Sequence, residues 1–406
     1  MKQIRIFLVV VLILVTAVVG CGKEDEGVKL PIGILADFSG PGVFAVKPMV
    51  DGFIDVLRMS NEDGTVPGLT FSWVTYDQKS DASRVPGGYM WLKGRGAEVM
   101  MIMSPTDRNI LAHRIETDEV LVLGTGLDEQ FPNHPWSYNI YGDFSHDAEA
   151  AMAYVMETWD YEGTGRSPRF AVIGDARFTA TNVRTGAERM YEWYPDKFEW
   201  VKAEHAPTGT TTWAAEILRV KDADFILPAL SGPMLASLIR EARARGYEGS
   251  FVAANNQFGG FFGLVKAAVS PEQLYGMYQV NWLPLWDDEV DLINTVKQQA
   301  DRFQPGKLDG LMENTGYIHG VLVGMLLLDA VSRAADDVGV TDLNADTIRS
   351  ALKTTDLHIW GEQRWSFAED YHSLIRCMKA YAWNVATGKW EDAKGVGWIT
   401  PHSLDN

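Results

Sequence analysis

Three small hydroxyl side chains, Ser104, Thr106 and Thr125, stand just past two apolar runs and beside proline or glycine. Short hydroxyls and glycine amides in such places suit a polar or anionic small molecule, because a helix beginning there adds unpaired N–H groups and a positive dipole end. Ser104 and Thr106 are equally able to act as plain helix caps; as a cluster with Thr125 they read as a binding group. The elements that must carry them are short. Residues 99–103 (VMMIM) break into Ser104-Pro105-Thr106, and residues 120–123 (VLVL) into Gly124-Thr125-Gly126. Continuous apolar runs of this length mark parallel strands covered on both faces, with residues 107–119 as the crossover helix. Ligands of open parallel sheets sit outside the carboxyl ends of the strands, where these hydroxyls fall.

The flanking chain extends the unit. Residues 30–36 (LPIGILA) form a first strand, followed by Asp37-Phe38-Ser39-Gly40-Pro41-Gly42. Val50, Phe53, Ile54 and Leu57 then recur at helical spacing until Asn61-Glu62-Asp63-Gly64, and residues 69–76 give a strand reaching Asp77. A βαβαβ series of this kind predicts a doubly wound sheet. After Tyr138 to Tyr141 the pattern restarts, so a second lobe is expected. Ala148, Met152, Val155, Met156 and Trp159 make a helical stripe, residues 163–168 a loop, and residues 169–173 a strand breaking into Gly174-Asp175-Ala176-Arg177-Phe178. Strands at 225–229 and 251–254 break into Ser231-Gly232 and Asn255-Asn256-Gln257, separated by a helix carrying Leu235, Leu238, Ile239 and Ala242. Further on, residues 275–282 read as extended, 287–303 as a polar helix and 344–352 as another helix. Residues 316–335 read as a very apolar helix, packed deep in a lobe and too short to cross a bilayer. Residues 374–384, a turn at 386–389 and Trp390 read as a closing hairpin.

The first twenty residues hold Lys2 and Arg5, then an uncharged apolar stretch from Ile6, then Gly20-Cys21. That is the form of an export signal, and Val18-Val19-Gly20-Cys21 resembles the lipobox of bacterial lipoproteins, in which the cysteine carries the lipid. Residues 21–28 would be the tether, with Gly22 favouring outer-membrane sorting in a Gram-negative cell. Cys377 is then the one thiol of the mature chain, expected to be buried and inert. The formal charge is −18, and loss of Lys2 and Arg5 deepens it, so nucleic acid and anionic lipid are repelled. With 406 residues and 46% hydrophobic content there is room for two substantial domains. The chain holds no phosphate-cradling loop, no H-E-x-x-H and no G-x-S-x-G, so an exported hydrolase is the weaker rival and no metal or cofactor is expected.

In order along the chain, Asp37-Phe38-Ser39-Gly40, Asn61-Glu62-Asp63-Gly64, Tyr76-Asp77 with Ser80-Asp81, the hydroxyl loop at Ser104 to Thr106, Thr125 and Gly316-Tyr317 give a pattern that resembles the type I periplasmic binding proteins. Within them it is similar to the branched-chain amino-acid solute-binding family of ABC importers. The resemblance implies two doubly wound α/β lobes, 29–141 plus 283–354 and 142–282 plus 355–406, joined by crossings near 141–145, 280–283 and 354–358. It also implies a monomer that traps a small solute by hinge closure and presents it to a membrane permease. Carried onto this chain, the ligand contacts would be Ser104, Thr106, Thr125 and Phe44 from one lobe and Arg177 or Phe178, Ser231 and Asn256 from the other, with Tyr278 or Trp282 near the hinge. Relatives that bind amino acids often hold the ammonium with an acidic residue where this chain has Asn255-Asn256-Gln257. Carboxylates, aromatic acids and amide-like solutes therefore stand beside amino acids as expected ligands. A ligand-sensing receptor of the same fold is the alternative reading.

Overall fold

The continuous apolar runs become the inner strands of two sheets. The computed structural model describes residues 27–126, 133–141, 144–176, 178–207, 209–255, 257–361, 363–367, 372, 374, 377–393 and 396–404. In the first unit β1 (Val28–Ala36), α1 (Val43–Asp63), β2 (Leu69–Asp77), α2 (Val85–Lys93), β3 (Val99–Ile102), α3 (Pro105–Asp118), β4 (Leu121–Gly126) and β5 (Ser137–Tyr141) follow one another. The strands lie parallel in the order β2-β1-β3-β4-β5. All four residues of β3 are buried, as a strand covered by helices on both faces requires.

The second unit runs α4 (Phe144–Thr158), α5 (Tyr161–Thr164), β6 (Arg169–Asp175), α6 (Phe178–Trp193), β7 (Glu199–Ala206), α7 (Ala214–Val220), β8 (Phe225–Ala229), α8 (Gly232–Ala244), β9 (Ser250–Ala254), α9 (Phe262–Ala268) and β10 (Met277–Asn281). The chain then returns to the first unit through α10 (Asp291–Phe303), α11 (Leu308–Leu311), α12 (Gly316–Val338) and α13 (Ala345–Lys353). A two-stranded piece, β11 (Asp356–Trp360) with β12 (Gln363–Ser366), precedes β13 (Met378–Asn384), β14 (Lys389–Asp392) and β15 (Trp398–Ile399). The second sheet has the order β14-β13-β10-β9-β8-β6-β7, with β15 also on β13. Strands β6 to β10 are parallel and β13 closes the sheet antiparallel to β10. One buried apolar cluster continues from the first sheet through Trp282, Leu283 and Trp286 into the second.

What fixes α12 is its contact with α1. Gly316, Gly320 and Gly324 recur every fourth residue and face that helix. A Cβ at Gly316 would meet the Ala45 carbonyl at 2.5 Å, and one at Gly320 would collide with the Met49 carbonyl. Side chains longer than hydrogen would force the two backbones apart. The pair is pinned at one end by Asp55, fully buried on α1, whose Oδ2 accepts from Tyr317 OH at 3.1 Å and Gln304 Nε2 at 2.8 Å.

The expected elements are present with shifted ends. The polar helix begins at Asp291 rather than 287, because residues 285–288 form a turn in which Asp288 Oδ2 accepts from Leu285 N at 2.7 Å. Helix α12 runs to Val338 and at 23 residues is long enough to span a bilayer; 72% of its most apolar window is buried inside the molecule, which marks a core helix. A short helical turn, α5, opens just before the expected loop at 163–168 and overlaps its start. Cys377 is half-buried rather than buried. The chain past β12 lies along the first unit: Asn139 N donates to the His372 carbonyl at 2.9 Å, Leu374 N donates to the Asn139 carbonyl at 3.2 Å, and the His372 ring stacks 4.4 Å from Tyr138.

Candidate ligand-binding site

At the carboxyl end of β1 two carboxylates shape the loop. Asp37 Oδ1 accepts from Gly40 N at 2.5 Å, and its Oδ2 accepts from Gly42 N at 2.7 Å and Ser80 Oγ at 2.5 Å. Asp77 accepts from Phe38 N at 2.9 Å, Lys79 N at 3.1 Å and Ser39 Oγ at 2.5 Å. Burial works to raise the Asp77 pKa, but these donors outweigh it and hold the group below its usual range. A Cβ at Gly40 would sit 2.6 Å from both Asp37 Oδ1 and the Lys79 carbonyl, so only glycine fits. The Asp-Phe-Ser-Gly and Tyr-Asp motifs are thus a brace that sets where α1 begins.

Phe44 lies in the first turn of α1. Its ring is stacked 6.4 Å from Phe261 of the second unit, at 27° between planes, and its carbonyl accepts from Asn314 Nδ2 at 3.2 Å. Ser104 caps α3, with Pro105 at the first helical position, and its Oγ accepts from Asp107 N at 3.3 Å. The capping and binding readings of Ser104 therefore fall on one half-buried hydroxyl at the end of β3. Thr106 beside it is exposed.

Asp107, which sequence reasoning passed over, completes this end. It is buried, and its Oδ2 has no hydrogen-bond partner among the described residues. Burial pushes its pKa up to about 6, partly offset by Arg108 and the Ser104 hydroxyl, with the Asp37 carboxylate adding to the rise. Arg108 NH1 donates to the Ile102 carbonyl at 2.7 Å and to the Met103 carbonyl at 3.2 Å, closing the end of β3. The Ser-x-x-Asp spacing of a helix start was the available signal.

In the second unit, Ser231 precedes α8 at its N-cap and makes no side-chain capping bond, so its half-buried hydroxyl is not spent on the helix. The loop after β9 docks on the start of α12. Thr315 Oγ1 donates to Asn255 Oδ1 at 2.7 Å, Thr315 N to the Gly259 carbonyl at 3.0 Å, and Gly263 N to the Glu313 carbonyl at 3.2 Å. Gln257 turns inward, its Oε1 accepting from Ala254 N at 3.2 Å. Asp175 is buried at the end of β6.

Tyr278 belongs to the second unit. It sits near the start of β10, and its ring packs 5.5 Å from Tyr154 of α4. Trp282, just past β10, is fully buried edge-on to His319 of α12 at 4.8 Å, between the two units; burial pushes the His319 pKa down to about 3 and keeps it neutral. Thr125 lies in the backbone of β4 and Phe178 in that of α6. Arg177, Asn256 and Cys21 lie outside the described residues.

The strand ends of two α/β units carry hydroxyl, carboxyl and aromatic side chains, and Phe44 of one unit stacks on Phe261 of the other, an arrangement suited to a cleft-type solute-binding protein. The sequence matches the profile of the family described as "Periplasmic binding protein" over residues 29–389, and the chain belongs to that family. Similar solved structures include a branched chain amino acid ABC transporter protein from Thermus thermophilus with bound valine, at 13% identity, 93% coverage of this chain, 98% of that one and a TM-score of 0.80. A fatty acid ABC transporter substrate-binding protein from Thermomonospora curvata aligns at 13% identity over 93% and 94% of the two chains, with a TM-score of 0.76. LivJ from Streptococcus pneumoniae, a branched-chain amino acid transporter substrate binding protein in complex with isoleucine, aligns at 17% identity over 92% and 99%, with a TM-score of 0.72. At such identities the likeness is one of fold, that of the type I periplasmic binding proteins. No curated protein matches the sequence. The family is extracytoplasmic, and its members bind solutes rather than transform them.

Proposed function

We propose that this chain is a lipid-anchored solute-binding protein of an ABC importer. It captures a small polar organic solute, an amino acid or a carboxylic acid, between lobes 29–141 plus 283–354 and 142–282 plus 355–406. The hydrogen bonds of residues 372 and 374 to β5 favour a last crossing after Leu374, which moves 355–374 into the first lobe. Ser104, Thr106, Thr125 and Phe44 would meet the solute from one side, and Arg177, Phe178, Ser231 and Asn256 from the other. Trp282 serves as hinge packing, and half-buried Tyr278 packs against the core beside Tyr154. Cys21 carries the lipid, and the monomer delivers its cargo to a membrane permease.

The observation that carries this reading is Asp107. A buried carboxyl with an uncommitted oxygen, at the capped start of α3 and at the strand end, is placed to take the ammonium or hydroxyl of a solute. It also supplies, from the first unit, the acid that the Asn255-to-Gln257 loop lacks, which keeps amino acids in play. Two of the similar structures hold valine or isoleucine and a third is named for fatty acids, so the fold leaves the solute class to such residues.

The test is a thermal-unfolding screen of the purified protein against amino acids, short carboxylates, aromatic acids and amides. A ligand at a hundredfold excess over Kd adds about 2.7 kcal/mol of stability. The hit should weaken at least tenfold in Asp107→Asn if it carries an ammonium, and in Ser104→Ala if it carries a carboxylate. No hit in any class, or a hit indifferent to both changes, would remove the cleft reading. For the anchor, Cys21→Ser should release the protein from membranes into the soluble fraction; continued membrane attachment would refute lipidation at Cys21.

A further inference from the structure

Gln279 is the central residue of β10, fully buried, and neither its Oε1 nor its Nε2 has a hydrogen-bond partner among the described residues. An apolar side chain at that place would avoid the cost of burying an unpaired amide. Gln279 lines a cavity of about 100 Å3 whose lining includes none of Ser104, Thr106, Asp107 or Ser231. Three walls are the rings of Phe262, Trp383 and Trp390, packed with centroids 4.7 to 5.4 Å apart. A fourth, Trp286, is held by its Nε1 donating to the Asn314 carbonyl at 2.8 Å.

The charges around the cavity cancel. Lys389 Nζ lies 2.8 Å from Asp287 and Lys266 Nζ 3.5 Å from Glu313, and all four residues line the same space. No net charge is left to hold an anion or a cation. A primary amide offers one acceptor and one donor side by side, the complement of a second amide presented edge to edge. Flat aromatic walls cover the faces of such a planar group. The volume is that of about three waters or one molecule of a few heavy atoms.

We infer that this cavity is a second ligand site, selective for a small neutral amide of the carboxamide or urea type, which pairs with Gln279. It is distinct from the strand-end cleft and does not rest on the reading of that cleft. Its walls come from both units, Gln279 and Trp390 on one side and Asn314 and Thr315 on the other. Occupancy is therefore coupled to the angle between the units, and the coupling is reciprocal with any solute in the cleft.

The probe is propionamide, titrated into the full chain in detergent while tryptophan fluorescence is followed, with propionate as the charged isostere. Propionamide should give a saturable change with a millimolar Kd, and propionate should bind at least tenfold more weakly. Gln279→Leu removes the unpaired amide, should melt no lower than the parent, and should lose the propionamide response by tenfold or more; Gln279→Met serves if it does not fold. Ser104→Ala and Asp107→Asn should leave the response intact, which separates this site from the cleft. A flat titration in the parent would show a cavity holding only water and would overturn the proposal. So would equal binding of propionate, or an undiminished response in Gln279→Leu.

Discussion

Asp107 joins a chemical role to a measurable cost. Its pKa is raised from 3.8 to about 6, so the folded protein prefers the protonated acid. The associated stability is complete below the unfolded-state pKa near 4 and is lost as pH rises through about 6, a loss of roughly 3 kcal/mol at most. Urea unfolding at pH 5, 6 and 7.5 should show the parent weakening across that window and Asp107→Asn holding level. A parent profile that is flat from pH 5 to 7.5 would remove the buried acid as its cause. An ammonium-bearing solute should bind more tightly above pH 6, where the carboxylate is formed. From sequence, Ser104 and its neighbours were singled out as small hydroxyls after an apolar run, a pattern that a helix cap shares, and Ser104 does cap α3. Asp107 was not singled out: an aspartate in a helix's first turn is ordinarily a solvated partner of the dipole, and only the folded chain shows it buried.

Between elements, the α1–α12 contact sets how firmly the first unit is built. Gly320→Ala would place a methyl against the Met49 carbonyl, and since both groups are on helical backbone neither can rotate away. Overpacking of this kind costs about 1 to 3 kcal/mol or more, against a gain below about 1 kcal/mol from alanine's better helix propensity. Thermal melting should fall by several degrees, whereas Gly339→Ala, just past the same helix and with nothing within 4 Å of the added Cβ, serves as the comparison, its cost being the strain of φ 82° alone. An unchanged melting point in Gly320→Ala would mean the helices separate freely. The apolar strands and α12 were readable because burial on both faces writes a continuous run. Helix α6, strand β7 and helix α9 were not. Strand β7 mixes exposed, half-buried and buried positions at the sheet edge, and α9 is seven residues long, too short for periodicity to register. The brace of Asp37 and Asp77 was legible as a motif but not as a mechanism, since the hydrogen bonds join residues about forty positions apart.

For the whole molecule, the contacts between the two units decide how much of any binding energy is spent on closure. Among the described residues they include the Thr315 hydroxyl on Asn255, the Thr315 amide on the Gly259 carbonyl, the Gly263 amide on the Glu313 carbonyl and the Phe44–Phe261 stack. If they exist only when the units are together, each adds to the closed population, and apparent affinity scales with that population. Thr315→Val keeps the shape, removes one donor and leaves Asn255 Oδ1 without it, a change of about 1 kcal/mol, or about fivefold in Kd. The loss should appear as faster dissociation, because the contact forms after the solute has entered. Scattering from the fully liganded variant should match the parent's radius of gyration, since saturating solute restores the closed form. An unchanged Kd would show that the loop after β9 stays docked on α12 with the units apart, making it part of the hinge rather than of the latch. Neither hinge nor latch was readable in the sequence beyond approximate crossings, because Asn255 and Thr315 are ordinary polar residues until the fold brings together positions sixty apart.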